Sequence, residues 1–253
     1  MNILVSNDDG ILAQGLAVLA DVCRTIGRVT VVAPDREQSG ASHALTLSRP
    51  IRAERHPDGA YQVDGTPTDC VLLALGALLA DEKPDFVVSG INHGPNMGED
   101  VLYSGTVAAA MEGLSLGIPG IAVSFAGNRL ERESLLAGQR DWLIRLLKHA
   151  TARKDFPKET LLNINLPPVP ADDIKGIRVT TLGRRVFSDS LTEMRDPWNR
   201  KMYWIGGGEV TWSGGEDSDF RAVQDGYISV TPLHVDLTNY KLLEAVKSWR
   251  LAE

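Results

Sequence analysis

Apolar residues in the first two thirds of the chain follow two alternating rhythms. Short runs without in/out alternation (Ile3 to Ser6, Val29 to Ala33, Phe86 to Ser89, Ile121 to Phe125) are separated by stretches with apolar residues every three or four positions (Leu16 to Ile26, Thr68 to Leu79, Val107 to Leu116, Leu135 to Ala150). A strand with no polar side is buried on both faces, and a helix with one apolar stripe covers it. This order predicts βαβ units and an α/β fold, doubly wound and Rossmann-like, around a mostly parallel sheet. Between Leu45 and Asp64 the residues alternate around Pro57-Asp58-Gly59, which reads as a hairpin at a sheet edge, ahead of a helix opening near Thr66-Pro67-Thr68.

After one more strand, Leu161 to Leu166, the chain is broken by Pro167, Pro168 and Pro170, and a polar, Gly-rich stretch runs from about Ile177 to Val223. Residues 1–166 therefore read as the core that carries the chemistry. Residues 167–253 read as a C-terminal segment with an extended β-hairpin arm, the whole forming one structural unit. The arm holds Trp198, Trp204 and Trp212, three of the five tryptophans, with Tyr203 and little core-like patterning. Aromatic side chains in that setting suit subunit contacts, so a homodimer or homotetramer through the arm is expected, with a self-packed hairpin as the alternative. Tyr227 to Thr231 and a closing helix, Tyr240 to Arg250, return to globular patterning.

Composition narrows the classes. A chain of 253 residues, 43% hydrophobic, can bury a core without disulfides or a structural metal. Its 26 basic and 33 acidic residues leave a formal charge of -7, which disfavours binding to nucleic-acid duplexes or anionic membranes. The longest apolar run, Cys70 to Ala80, falls well short of the ~20 residues of a membrane span. Met1 leads almost directly into Ile-Leu-Val and two acids, without the basic and apolar regions of a secretory signal, so a cytoplasmic location is expected. Cys23 and Cys70 lie in apolar, helix-like stretches without CxxC spacing and read as buried hydrophobes.

In an open α/β sheet the ligand crevice lies beyond the carboxyl ends of the strands. The first strand ends in Ser6-Asn7-Asp8-Asp9-Gly10, where adjacent carboxylates repel unless a cation or a raised pKa relieves them. A divalent metal is the economical explanation; a solvated turn with a helix cap is the alternative. The second ends in the hydroxyl-rich loop Ala33 to His43, and the third in Ser89-Gly90-Ile91-Asn92-His93-Gly94-Pro95-Asn96-Met97-Gly98, whose glycines admit close backbone approach and whose amides supply oxygen ligands. Carboxylate, hydroxyl and amide oxygens form a hard set that favours Mg, Mn or Ca. His43, His56, His93, His149 and His234 show no zinc spacing. Tyr103-Ser104-Gly105-Thr106 opens an alanine-rich helix, whose start suits phosphate, although such hydroxyls also serve as plain N-caps. No GxxxxGK[ST] pattern is present, which excludes a P-loop. Glu112, inside that helix, needs a partner, expected to be one of Arg178, Arg184, Arg185 or Arg195.

Together SNDDG at 6–10, APDREQSGAS at 33–42, SGINHGPNMG at 89–98 and YSGTVAAAMEG at 103–113 resemble the SurE family of survival-protein phosphatases, which act as 5'(3')-nucleotidases. Similarity through Leu162 to Leu166, the polar arm and DGYISVTPL extends it to nearly the whole chain. The resemblance implies that Asp8, Asp9, Ser39 and Asn92 hold one divalent cation, Mg or Mn before Ca, and that Gly40, Asn96, Ser104, Gly105 and Thr106 surround the phosphate. It implies catalysis by Asp8 and Asp9, hydrolysis of nucleoside 5'- and 3'-monophosphates and short polyphosphate, and dimers or tetramers built through the C-terminal arm. Three other readings fit less well. A haloacid-dehalogenase-like phosphatase with Asp8 as nucleophile needs an acid where Gly10 stands. A receiver domain needs a phosphoacceptor aspartate where Asn92 stands. A catalytically silent nucleotide-binding protein would bind without releasing phosphate.

Overall fold

A computed structural model describes residues 1–128, 131, 134–157, 159–187, 191–205 and 210–249. The core elements alternate: β1 (Asn2–Ser6), α1 (Gln14–Arg24), β2 (Arg28–Pro34), β3 (Ala53–Arg55), β4 (Tyr61–Val63), α2 (Pro67–Leu73), β5 (Phe86–His93), α3 (Gly105–Ser115), β6 (Gly120–Phe125), α4 (Arg140–Thr151) and β7 (Leu161–Leu166). There follow β8 (Ile177–Val179), β9 (Arg184–Phe187), β10 (Leu191–Arg195), β11 (Lys201–Ile205), β12 (Val210–Ser213), α5 (Asp219–Gln224), β13 (Ile228–Leu233) and α6 (Leu243–Lys247). Among the described residues nine strands form one sheet in the order β3-β4-β2-β1-β5-β6-β7-β13-β8. Pairing is parallel from β4 through β7 and between β13 and β8, and antiparallel at β3–β4 and β7–β13. The α/β, mostly parallel sheet is as the apolar runs predict, with the Pro57-Asp58-Gly59 hairpin at one edge.

The absence of in/out alternation follows from apolar clusters on both faces of the sheet. Ile3 and Val5 of β1 face α1 and α4, packing with Leu16, Leu19, Leu143 and Leu147. Leu4 between them faces the other way, into a cluster with Val32, Val87, Cys70 and Ala109. Both cysteines are fully buried, and burial pushes the Cys23 thiol up to about 12. α2 begins with a capping box: the Thr66 hydroxyl accepts from Asp69 N–H (3.1 Å) and the Asp69 carboxylate from Thr66 N–H (2.9 Å).

Element boundaries differ from the expectation at four places. β5 continues past Ser89 to His93, because its backbone goes on pairing with Ser124 and Phe125 of β6, so Asn92 and His93 are strand residues rather than loop. α2 ends at Leu73 and the chain continues as a wider π turn to Leu78. α4 starts at Arg140 rather than Leu135, after the buried Gln139, whose amide donates to the carbonyls of Pro167 (2.9 Å) and Val169 (2.6 Å). The closing helix spans only Leu243–Lys247 after a 3-10 turn, and Arg250 lies outside the described residues.

Candidate active site

β1 lies between β2 and β5, and the chain leaves it to one side and returns on the other. The crevice of a doubly wound sheet opens at such a point. Here Asp8 is 4% exposed. Gly10 carries φ +97, and a Cβ there would stand 3.0 Å from the Arg36 carbonyl carbon, so the turn after the acids requires glycine. Asn7 Nδ2 donates to the Gly10 carbonyl at 2.9 Å and closes that turn.

The acids have different surroundings. Burial raises the Asp8 carboxyl to about 6; the Thr106 hydroxyl, which donates to Asp8 Oδ1, opposes this, and the adjacent Asp9 charge adds to it. Asp9 is clamped from β5, accepting from His93 N–H (3.2 Å) and pairing with His93 Nδ1 (2.7 Å). His93 is therefore a partner of the acid pair, its ring satisfied by Asp9.

α3 starts directly against Asp8. The Ser104 hydroxyl caps it by accepting from Val107 N–H at 3.0 Å. A Cβ on Gly105 would meet Asp8 Cβ at 2.7 Å and Asp8 Oδ2 at 3.0 Å, so only glycine lets the helix start come this close. The first turn of a helix presents unpaired N–H groups and a partial positive charge, an anion site. Gly105 and Thr106 thus set the acids and the anion site side by side.

The 35–43 loop is fastened at both ends. Gln38 N–H donates to the Asp8 carbonyl (2.7 Å), and Ser42 N–H donates to the Tyr103 carbonyl (3.1 Å). Between them Ser39 is exposed, its hydroxyl donating to Glu37 at 2.7 Å, and Gly40 (φ +75) has open space around its Cβ position. The structure therefore brings Asp8, Gly105 and Thr106 into direct contact, with Asp9, Ser104 and the loop at their border, but it does not direct the Ser39 or Gly40 side toward the acids.

On β5, Asn92 Nδ2 donates to the carbonyls of His93 (3.2 Å) and Gly94 (2.9 Å). Asn96 sits in a buried amide network: its N–H donates to Asn165 Oδ1 (2.9 Å), its Nδ2 to Ser124 (2.8 Å), and its carbonyl accepts from Asn163 (2.8 Å) and Asn165 (3.0 Å). Ser124, Asn163 and Asn165, on β6 and β7, went unnoticed in the sequence. The signal for Asn163 and Asn165 was polar residues at i and i+2 within the apolar run Leu161 to Leu166, which share one face of a buried strand. Glu112 also has a different partner from the one expected: His43 Nε2 lies 2.8 Å from Glu112 Oε2. Arg178 pairs instead with Asp225, Arg185 with Asp100, and Arg195 bonds Asn199.

The donors fit a hard divalent cation. Two adjacent carboxylates are buried with one held toward its neutral form, the nearby side-chain donors are hydroxyl and amide oxygens, and the buried Asn7 Oδ1 has no hydrogen-bond partner among the described residues. Among those residues no three His, Cys, Asp or Glu side chains converge as a metal cluster, so any such site relies on neutral oxygens beside Asp8 and Asp9.

Comparison with known proteins places this geometry. Residues 3–189 match the family model described as Survival protein SurE. The chain is 64% identical over 249 residues to a protein of Gemmatimonas aurantiaca named 5'-nucleotidase SurE, covering 98% of each. A Legionella pneumophila protein of the same name is 49% identical, over 96% of this chain and 95% of that one. The crystal structure of the SurE protein from Aquifex aeolicus matches at a TM-score of 0.85 with 40% identity, over 98% of this chain and 99% of that one.

Proposed function

The chain belongs to the SurE family, and from that premise we propose that it is a divalent-cation-dependent phosphomonoesterase that hydrolyses nucleoside 5'-monophosphates. The observation that carries the reading is the contact of the α3 start with Asp8, which sets an anion site against a carboxylate pair. The names of the relatives support the nucleotidase activity. Activity toward 3'-monophosphates and short polyphosphate belongs to the same proposal, since an anion site at a helix start recognises the phosphoryl group rather than the remainder of the ester.

Asp8, Asp9, Ser39 and Asn92 would hold the cation. When bound, such an ion polarises a phosphoryl oxygen and lowers the pKa of a water molecule. The protein's own groups perform the rest. The N–H groups of Gly105 and Thr106 and the Ser104 hydroxyl orient the phosphoryl group and offset charge on its equatorial oxygens. Asn96, immobilised by Ser124, Asn163 and Asn165, lines the phosphate with a fixed amide. Asp8 or Asp9 accepts the proton of the attacking water. His93 keeps Asp9 oriented.

The surface bears on the remaining proposals. Among the described residues no helix is long and apolar enough to cross a membrane. The arm is proposed as the subunit contact of a homodimer or homotetramer, because every residue of strands β10 and β11 is exposed. A cytoplasmic location belongs to the same proposal.

The test is phosphate release from a panel of 5'- and 3'-nucleoside monophosphates and short polyphosphate, using chelator-stripped protein with Mg, Mn, Ca or Zn restored singly. Metal-restored release from 5'-monophosphates is the expected outcome; folded protein that binds nucleotide and releases nothing with any metal overturns it in favour of a silent binding protein.

A further inference from the structure

Glu112 does not touch the acid pair, and the function above leaves it without a role. It lies on α3, its side chain 12% exposed, and its carboxylate reaches out of the helix to His43 on the loop that carries Ser39 and Gly40. The residues beside His43 are fastened to the same wall. The Ser42 hydroxyl donates to the Leu102 carbonyl at 2.6 Å, and Ser42 itself holds φ 54, a left-handed conformation uncommon for serine. Beyond His43 the Ala44 carbonyl accepts from Thr66 (2.7 Å), and Thr46 N–H donates to Asp69 (3.0 Å). Upstream the anchor is Gln38 N–H on the Asp8 carbonyl.

Only Ser39, Gly40 and Ala41 thus hang between anchors, closed on themselves by Ala41 N–H donating to Gln38 O at 3.1 Å. The reach of three residues is short, so where the downstream anchor sits dictates where the Ser39 hydroxyl can go. In this downstream anchor, among the described residues, His43–Glu112 is the side chain-to-side chain contact in which the loop meets a carboxylate, and hydrogen bonds to a charged group are stronger than neutral ones. It also couples the loop to the helix whose first turn abuts Asp8.

We infer that His43 and Glu112 are positioning residues: their bond latches the 38–43 loop to α3 and so limits how far Ser39 and Gly40 can move from the Asp8–Asp9 pair when a cation and a phosphate are bound. The inference rests on the proposed reading of Ser39 as a cation ligand. Neither residue touches substrate. Groups that orient ligands from behind influence metal affinity by about 10–100-fold in other proteins, and one latch bond among several anchors belongs at the lower end of that range.

The experiment compares wild type with His43→Ala, Glu112→Ala, the double variant and His43→Gln, which retains a donor for Glu112. Two quantities are read without substrate: amide hydrogen exchange across residues 36–46, and the dissociation constant for Mn(II) by calorimetry on chelator-stripped protein, with thermal melting to establish that each variant is folded. The expected result is faster exchange in that segment and about tenfold weaker Mn(II) binding in each single variant. The double variant should be no worse than either single one, since removing both ends of one bond costs no more than removing one, and His43→Gln should recover most of the loss. Unchanged exchange in folded His43→Ala overturns the latch. So do additive losses in the double variant, and so does faster exchange with Mn(II) affinity kept within twofold. If wild type itself binds no Mn(II), the cation reading fails separately, and exchange alone then decides the latch: acceleration matched in both single variants and in the double supports it, and its absence overturns it.

Discussion

A buried carboxyl held at about 6 makes the metal-free protein sensitive to pH in a definite direction. Asp8 has an ordinary value of 3.8, so between pH 4 and 6 the folded chain keeps a proton that the unfolded chain releases. Stability contributed by this group is therefore lost as pH rises through that window and stays lost above it. Asp8→Asn in chelator-stripped protein should remove that loss, giving at pH 7.5 a gain of up to about 3 kcal/mol over wild type; denaturant midpoints at pH 4 and 7.5 would show it, and parallel profiles for the two proteins would contradict it. Gly105→Ala makes a second point at the same scale. The added methyl must displace Asp8 or the α3 start, so a fall in phosphate release of at least tenfold with a retained circular dichroism spectrum is the expected outcome. The acids and the Ser104-Gly105-Thr106 turn were legible in the sequence because strand ends and helix starts have local signatures. His93, His43 and the Asn163–Asn165 pair were not, since their roles depend on which strands and loops become neighbours.

At the scale of elements, the helices owe their positions to caps and buried stripes whose cost can be measured. Burial pushes the Asp69 carboxyl up, but hydrogen bonds from Thr46 and Thr66 outweigh it and hold the group below its ordinary value. That stability is present at neutral pH and is lost as pH falls through the ordinary carboxylate range toward the lowered value. Thr66→Ala, which removes the cap on Asp69 N–H, should cost about 1 kcal/mol by chemical denaturation at pH 7. Asp69→Asn should cost a similar amount at pH 7 and progressively less as pH falls through and below the ordinary carboxylate range, and a loss that does not shrink with falling pH would contradict the charged cap. Leu143 of α4, fully buried against the sheet, is a packing site; Leu143→Ala should cost about 2–5 kcal/mol. The strands that carry these helices were readable from unbroken apolar runs. Their ends were not: β5 runs to His93 because β6 continues to offer it partners, a fact of pairing that no local pattern encodes.

The whole molecule joins a sheet with two covered faces to an arm whose β10 and β11 strands are exposed. In the β10–β11 hairpin Trp204 is 66% exposed and Ile205 88%, and Trp198 at its turn is 75% exposed. Large apolar side chains exposed together are what the proposed subunit contact would cover. Replacing residues 191–205 by a short Gly-Ser link should reduce the sedimenting mass of the protein, and an unchanged mass would contradict an oligomerising role. The change in character after Pro167 was visible in composition, yet the same stretch returns β8 and β13 to the central sheet, a long-range pairing that becomes visible only once the chain is folded. The central claim joins these scales: a carboxylate pair at the end of β1 and the start of α3 act together to release phosphate. The most direct measurement is phosphate release from adenosine 5'-monophosphate by chelator-stripped protein, before and after Mn or Mg is restored, with wild type and Asp9→Asn in parallel. The account predicts release by wild type only when metal is present, and at least a hundredfold less by folded Asp9→Asn at saturating metal. Near wild-type release by Asp9→Asn, or metal-independent release by wild type, would contradict it.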